Sequence, residues 1–455
     1  MPNIENINPR VHYLEQSMCF KTWNDIIISL PRKNVKWCCK TVMNKNDEDA
    51  TTFTLDTLTE DFLFNHPVLQ RRKWELSGGT RSEDCTFCWK SEDAGGRSVR
   101  TEYTKNYDFH MKRDLRKSLQ HPKKRIAYHQ KMRRFDNMKF IEIELTNKCN
   151  MACVYCWGGS STRWQKELGQ RFPDTEDLIF DKVIKILNSY WDHSLKDREH
   201  VNFSLLGGEP FFTEHMYKFI EEFMVNINDK MDPKSEQRVV ITVTTNMNFP
   251  RHKFDRFIEL VKRTPNITYD MQISGEAIGK RSEIIRWGLI WDTWDKNLDL
   301  FFEKGKELPN LLVGFGCAHN SLSLPYFKDF LIYLDDKLKL HNYKNKIHMH
   351  SNWVDNPAHL SVSALEPHHA KAIDEQIDFL NSMEVDMYQK EKYMSLMETM
   401  KSIVESPVDP NIKGEAWIQF KKLEDRRKIS FAEHFPHYHE LIEDGKNIVS
   451  KWDKI

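Results

Sequence analysis

Three cysteines, Cys149, Cys153 and Cys156, stand in a C-x3-C-x2-C run within TNKCNMACVYC. Thiolates this close together can hold three irons of a [4Fe-4S] cube and leave the fourth iron without a protein ligand, open to a small molecule. The competing chemistry is a zinc knuckle, which needs a fourth ligand; His193 and His200 are near in sequence but have no regular spacing to the run. A second set comprises Cys19, the neighbours Cys38 and Cys39, and Cys85 with Cys88 as C-x2-C. A pair with two distant thiolates suits either zinc or a fully ligated iron–sulfur cluster, and spacing does not separate the two.

These residues need a scaffold. Six segments from residue 138 onward read as strands: KFIEIELT, VNFSLL, VVITVTT, ITYDMQI, LLVGFGC and KIHMHSNWV. Apolar positions at helical spacing lie between them, as in Ile179, Val183, Ile186, Leu187 and Tyr190, or Phe254, Phe257, Ile258 and Val261. Strands alternating with helices predict an α/β fold with a parallel sheet. Trp287, Trp291 and Trp294 fall on one helical face and are expected to pack in the core. The first hundred residues are turn-rich, and those after about 360 read as helical.

At 455 residues the chain exceeds one small module, and its 67 basic and 67 acidic side chains cancel. The average charge therefore favours neither nucleic acid nor a membrane surface. Locally, Met111 to Asp136 carries ten Lys/Arg against two Asp. That run lacks the interleaved aromatics that stack on bases, which disfavours nucleic acid as a partner. Nine clustered cysteines point to metal ligands in a reducing compartment, and no segment reads as a signal peptide or membrane span. The expected location is the cytoplasm, with no membrane partner.

The cysteine run, with Tyr155 before its last member and a strand before its first, resembles the radical SAM superfamily. In that family the open iron chelates the amino and carboxylate groups of S-adenosylmethionine (SAM), and an electron from the cluster cleaves SAM to methionine and a 5′-deoxyadenosyl radical. The resemblance implies a partial (β/α)6 TIM-type barrel with Cys149, Cys153 and Cys156 at its catalytic cluster. Gly207, Gly208, Glu209 and Pro210 resemble the motif that holds the SAM amino group. Asn246, closing Thr244-Thr245-Asn246, matches a strand-end polar triplet, and Ser274, Glu276 and Arg286 are similar to ribose and carboxylate contacts.

Met18 to Arg100 resembles the SPASM/twitch module, here N-terminal to the barrel, which implies an auxiliary [4Fe-4S] cluster held by Cys19, Cys38, Cys85 and Cys88. Cys39 in place of Cys38 stays open. A saturated cluster binds no substrate and would carry electrons. Residues Leu423 to Arg427 and Phe431 to Pro436 resemble closing segments of the same group.

The expected organisation is an auxiliary-cluster domain at 1–105, a basic linker at 106–137, the barrel at 138–360 and a helical region at 361–455. The expected partners are a peptide substrate, or else a small metabolite or nucleotide, and a low-potential donor such as flavodoxin or ferredoxin. The alternative is a non-catalytic zinc-binding protein. Cys317 reads as a buried small residue or a hydrogen-atom donor, and the pairs His348/His350 and His368/His369 as ordinary polar residues.

Overall fold

Period-two alternation and β-branched runs place the strands, because side chains of an extended chain point to opposite faces. The computed structural model describes residues 17–96, 98–105, 127, 130–132, 136–384 and 387–452. Its nine strands are β1 (Asp25–Ser29), β2 (Asn34–Lys36), β3 (Phe140–Glu144), β4 (His200–Leu206), β5 (Arg238–Thr245), β6 (Ile267–Ser274), β7 (Leu311–Cys317), β8 (Ile347–Ser351) and β9 (Met387–Tyr388). All six sequence-predicted strands are present, as β3 to β8.

The chain divides into two compact units. The first comprises Met1–Thr146, Pro173–Gly207 and Lys218–Ile241; the second comprises Asn147–Phe172, Gly208–Tyr217 and Thr242–Ile455. Strand β5 belongs to both. In the first unit the strand order is β2-β1-β3-β4-β5, and in the second it is β5-β6-β7-β8-β9.

In the first unit, β1 pairs in parallel with β3, and β3 with β4, while β2 runs antiparallel to β1. Register aligns like with like: Ile26 faces Ile141, which faces Phe203, and Ile28, Ile143 and Leu205 form the next row. These side chains are buried. Strand β1 was hidden in a segment expected to be irregular. Its three consecutive isoleucines give no alternation, as suits a parallel strand covered on both faces. The helix Asp177–Tyr190 buries Ile179, Val183, Ile186, Leu187 and Tyr190, the predicted stripe.

In the second unit, β6, β7, β8 and β9 are mutually parallel. Buried Met271, Val313 and Ile347 align, as do Ile273, Phe315 and Met349. Each of these strands therefore turns its alternate residues, such as Asp270, Gln272 and Ser274 of β6, to the other face. The helix Arg251–Arg263 buries Phe254, Phe257, Ile258 and Val261. The region after 360 is helical as expected, apart from the two-residue β9.

The tryptophan stripe is corrected. Only Trp291 and Trp294 lie on the helix Trp291–Glu307, with rings stacked at 5.0 Å. Trp287 precedes that helix, in the turn that meets the cysteine loop. Among the described residues no helix is long and apolar enough to cross a membrane. The basic stretch 111–136 lies outside the described residues except for 127, 130–132 and 136.

Candidate functional site

The loop that follows β3 carries the three closely spaced cysteines, and its backbone is held from several directions. Thr162 opens the helix Thr162–Leu168; its hydroxyl donates to the Cys149 carbonyl at 3.0 Å and accepts from the Cys149 N–H at 3.1 Å. Ser161 caps the same helix by accepting from the Trp164 N–H, and its hydroxyl donates to the Met151 carbonyl. The amides of Ala152 and Val154 donate to the carbonyls of Trp287 and Ile285 at 2.7 and 2.8 Å. The Trp164 indole donates to the Cys153 carbonyl at 2.9 Å. A loop whose backbone groups are satisfied in this way is set before any ligand arrives.

The thiols of Cys149, Cys153 and Cys156 are free and partly buried. Burial pushes all three up, Cys153 to about 12 with the Arg286 cation opposing the rise. Thiolates here therefore need nearby positive charge, which bound metal supplies. Among the described residues, the only His/Cys/Asp/Glu trio with all its ligand atoms within 4.8 Å is elsewhere, so these three sulfurs are not all within 4.8 Å of one another. A single zinc ion gathers its ligands tightly, whereas the irons of a cube sit at separate corners. The donor set, three thiols and no gathered fourth ligand, fits a cube with one open iron.

Glu209 ties the neighbouring strand ends together. Its Oε1 accepts from the Thr245 hydroxyl at 2.8 Å and the Phe211 N–H at 3.2 Å, and its Oε2 accepts from the Asn246 N–H at 2.6 Å. The Asn246 amide in turn donates to Asn150 Oδ1 at 2.9 Å and lies 3.8 Å from the Cys149 sulfur. Glu209 is thus linked to the cysteine loop through Asn246. Burial raises its carboxyl to about 7 against the pull of those three donors. Pro210 starts the short turn Pro210–Phe212 that follows.

Glycine is required before Glu209. At Gly208 a Cβ would meet the Lys148 carbonyl oxygen at 2.2 Å. Gly207 has φ +141°, and its Cβ would lie 2.5 Å from the Thr146 carbonyl oxygen. The two glycines let the backbone on either side of the cysteine run and the GGEP turn approach closely.

A buried ionic group completes the site. The Tyr155 hydroxyl donates to Glu276 Oε1 at 2.9 Å, and the Arg286 guanidinium pairs with Glu276 Oε2, with Nε at 3.2 Å. Glu276 and Arg286 are both buried. Burial pushes the Tyr155 hydroxyl up, and the Glu276 carboxylate helps hold Arg286 protonated against its own burial. Ser274 ends β6, and its carbonyl accepts from the Trp294 indole at 3.2 Å. The sequence-selected residues Cys149, Tyr155, Glu209, Asn246, Glu276 and Arg286 thus fall into two hydrogen-bonded groups, one reaching Cys149 and the other reaching Tyr155.

Residues 143–316 match the radical SAM superfamily. The chain carries a radical SAM domain. That span includes the cysteine run, the GGEP turn, Asn246, Ser274 and Arg286. An uncharacterised protein of Methanocaldococcus jannaschii is 23% identical over 199 residues, which is 44% of this chain and 59% of that relative.

Cys19, Cys38, Cys85 and Cys88 lie outside the radical SAM match. In the first unit all four line one recess, partly open to solvent, together with Lys21 and Arg100. Buried Arg72 donates to Asp84 Oδ2 from Nε and Nη2, at 3.0 and 2.9 Å, which holds the residue next to Cys85. The Val42 N–H donates to the Asp84 carbonyl at 3.0 Å and brings the Cys38 loop alongside. Cys38 lines the recess and Cys39 does not. A hydrogen bond from the Cys39 thiol, aided by Lys21, the Lys40 amide and Arg72, outweighs burial and lowers Cys38 to about 6; Cys39 is raised. Burial pushes Cys85 to about 12 and also raises Cys19 and Cys88.

Arg427, the last residue of the segment Leu423 to Arg427, is a contributor to which the sequence assigned no role. It lies at the end of the helix Pro410–Arg427, stacks over Trp164 and Trp287 at 4.7 and 5.4 Å, and pairs with Glu167 at 3.1 Å. Its distance in sequence left no signal of that contact. Cys317 is fully buried, and burial pushes its thiol up.

Proposed function

We propose that the chain is a SAM-cleaving radical enzyme in which Cys149, Cys153 and Cys156 hold a [4Fe-4S] cluster. With SAM bound at its open iron, such a cluster supplies reductive cleavage to methionine and a 5′-deoxyadenosyl radical able to abstract hydrogen from a substrate. The observation that carries this reading is the radical SAM match over residues 143–316, which includes the three thiols. The chain's own residues prepare the site. Thr162, Trp164 and the 285–287 turn fix the loop backbone. Gly207 and Gly208 allow the GGEP turn to lie against it, Glu209 orients Asn246, and Glu276 neutralises Arg286 in a dry setting. Asn246, Ser274 and Arg286 are the residues assigned to contact SAM, with Gly207 to Pro210 at its amino end.

The recess of Cys19, Cys38, Cys85 and Cys88 is assigned to an auxiliary [4Fe-4S] cluster. Four thiols around one space support this reading. Four ligands would leave no iron open, so the role assigned is electron transfer. The proposed organisation is an auxiliary domain at 1–105, a linker at 106–137, the SAM domain at 138–360 and a helical region at 361–455, in a cytoplasmic protein. Its proposed partners are a low-potential donor such as flavodoxin or ferredoxin and a peptide substrate, with a small metabolite or nucleotide second.

Anaerobic reconstitution tests the reading. About eight irons per chain are expected, from two four-iron cubes, with the EPR signal of one reduced cluster altered by SAM. Zinc in both cysteine sets and no SAM-sensitive signal would overturn it.

A further inference from the structure

The helical part of the second unit gathers two adjacent histidines and a carboxylate. His368 and His369 belong to the turn Pro367–His369 leading into the helix Ala370–Ser382, and Glu440 lies on the helix Tyr438–Ile442. Glu440 Oε2 is 3.2 Å from His368 Nε2 and 3.0 Å from His369 Nε2. The three ligand atoms lie within 4.8 Å of one another, and no other such trio occurs among the described residues. The two imidazoles are 4.1 Å apart.

These separations suit a metal ion. Bonds of 2.0–2.1 Å in a tetrahedral site place neighbouring ligand atoms about 3.3 Å apart, close to both measured nitrogen–oxygen distances. Two imidazoles and one carboxylate also form a donor set that zinc takes when it keeps one position for water. His368 is 63% exposed at its side chain, which leaves that position open to solvent. His437 is near, its ring 5.2 Å from that of His369, but both its nitrogens are engaged, Nδ1 with the Tyr326 hydroxyl at 3.0 Å and Nε2 with the Ser321 carbonyl at 2.7 Å. It therefore serves as a packing neighbour to the set.

We propose that His368, His369 and Glu440 bind a divalent cation of the zinc class, with water in the fourth position. The ion would fasten two segments that are 71 residues apart in the chain. Its presence requires no particular chemistry at the cysteines.

The test is zinc equilibrium dialysis of the full-length chain, comparing wild type with His369→Ala, Glu440→Gln and His368→Ala. Any zinc taken up by cysteines is common to all four proteins, so the difference reports this site. Wild type is expected to retain about one more zinc ion per chain than each variant, and zinc is expected to raise its melting temperature more than theirs. His368→Ala alters an exposed ring and keeps the comparison valid if a more buried variant fails to fold. Equal zinc in wild type and folded variants would overturn the proposal.

Discussion

The guanidinium of Arg427 donates from Nη2 to the carbonyl oxygen of Ala152 at 2.9 Å, across 275 residues of sequence. Ala152 sits between Cys149 and Cys153, so a helix from the C-terminal region is fastened directly to the cysteine loop. The same side chain pairs with Glu167 and covers two indole rings.

Arg427→Met should therefore unsettle both the fold and the loop. Removing one partner of a buried ion pair typically costs about 3–5 kcal/mol, and the Ala152 carbonyl also loses a donor. Urea denaturation should show a loss of that order, and reconstituted iron should fall at the C-x3-C-x2-C site. Wild-type stability together with wild-type iron would contradict the assignment of Arg427 as a positioning residue.

The close approach of the GGEP turn gives a second expectation. Gly208→Ala and Gly207→Ala each drive a methyl group against backbone oxygen, and Gly207 also has an unfavourable φ. Each should cost on the order of 3 kcal/mol. Gly316→Ala is the control, because its Cβ would meet nothing nearer than 4.0 Å. Melting curves should separate the three, with Gly316→Ala near wild type.

How much of this was readable beforehand depends on the residue. Alternation in β3 to β8 and the stripes of the helices Asp177–Tyr190 and Arg251–Arg263 were visible, because each is set by neighbours in sequence. Cysteine is chemically distinctive, so Cys19, Cys38, Cys85 and Cys88 could be grouped across a long stretch of chain before their shared recess was known. Strand β1 was missed, since an isoleucine run bounded by polar residues has no period. The contacts of Arg427 with Ala152, and of Glu440 with His369, join distant segments and have no local pattern at all.

Glu209 predicts a pH dependence. Burial raises its carboxyl from the ordinary 4.5 to about 7, so the folded chain holds that proton more tightly than the unfolded chain does. Its contribution to stability is complete below the unfolded value and is lost as pH rises through the folded one. Between about pH 5 and 8, the urea midpoint of wild type should fall relative to that of Glu209→Gln, which cannot titrate. Parallel profiles would contradict the raised carboxyl.

The recess in the first unit is tested by subtraction. Cys85→Ala should lower reconstituted iron by about half and leave the SAM-sensitive EPR signal. Cys39→Ala should retain iron near the wild-type level, because Cys39 does not line the recess. Unchanged iron in Cys85→Ala would overturn the assignment of an auxiliary cluster to this recess.

SAM cleavage at Cys149, Cys153 and Cys156 is read without intermediary steps as 5′-deoxyadenosine formed from SAM by the anaerobically reconstituted chain with dithionite. Dithionite-dependent product is expected from wild type and none from Cys153→Ala. No product from wild type with its full iron complement, or equal product from Cys153→Ala, would contradict cleavage at these cysteines.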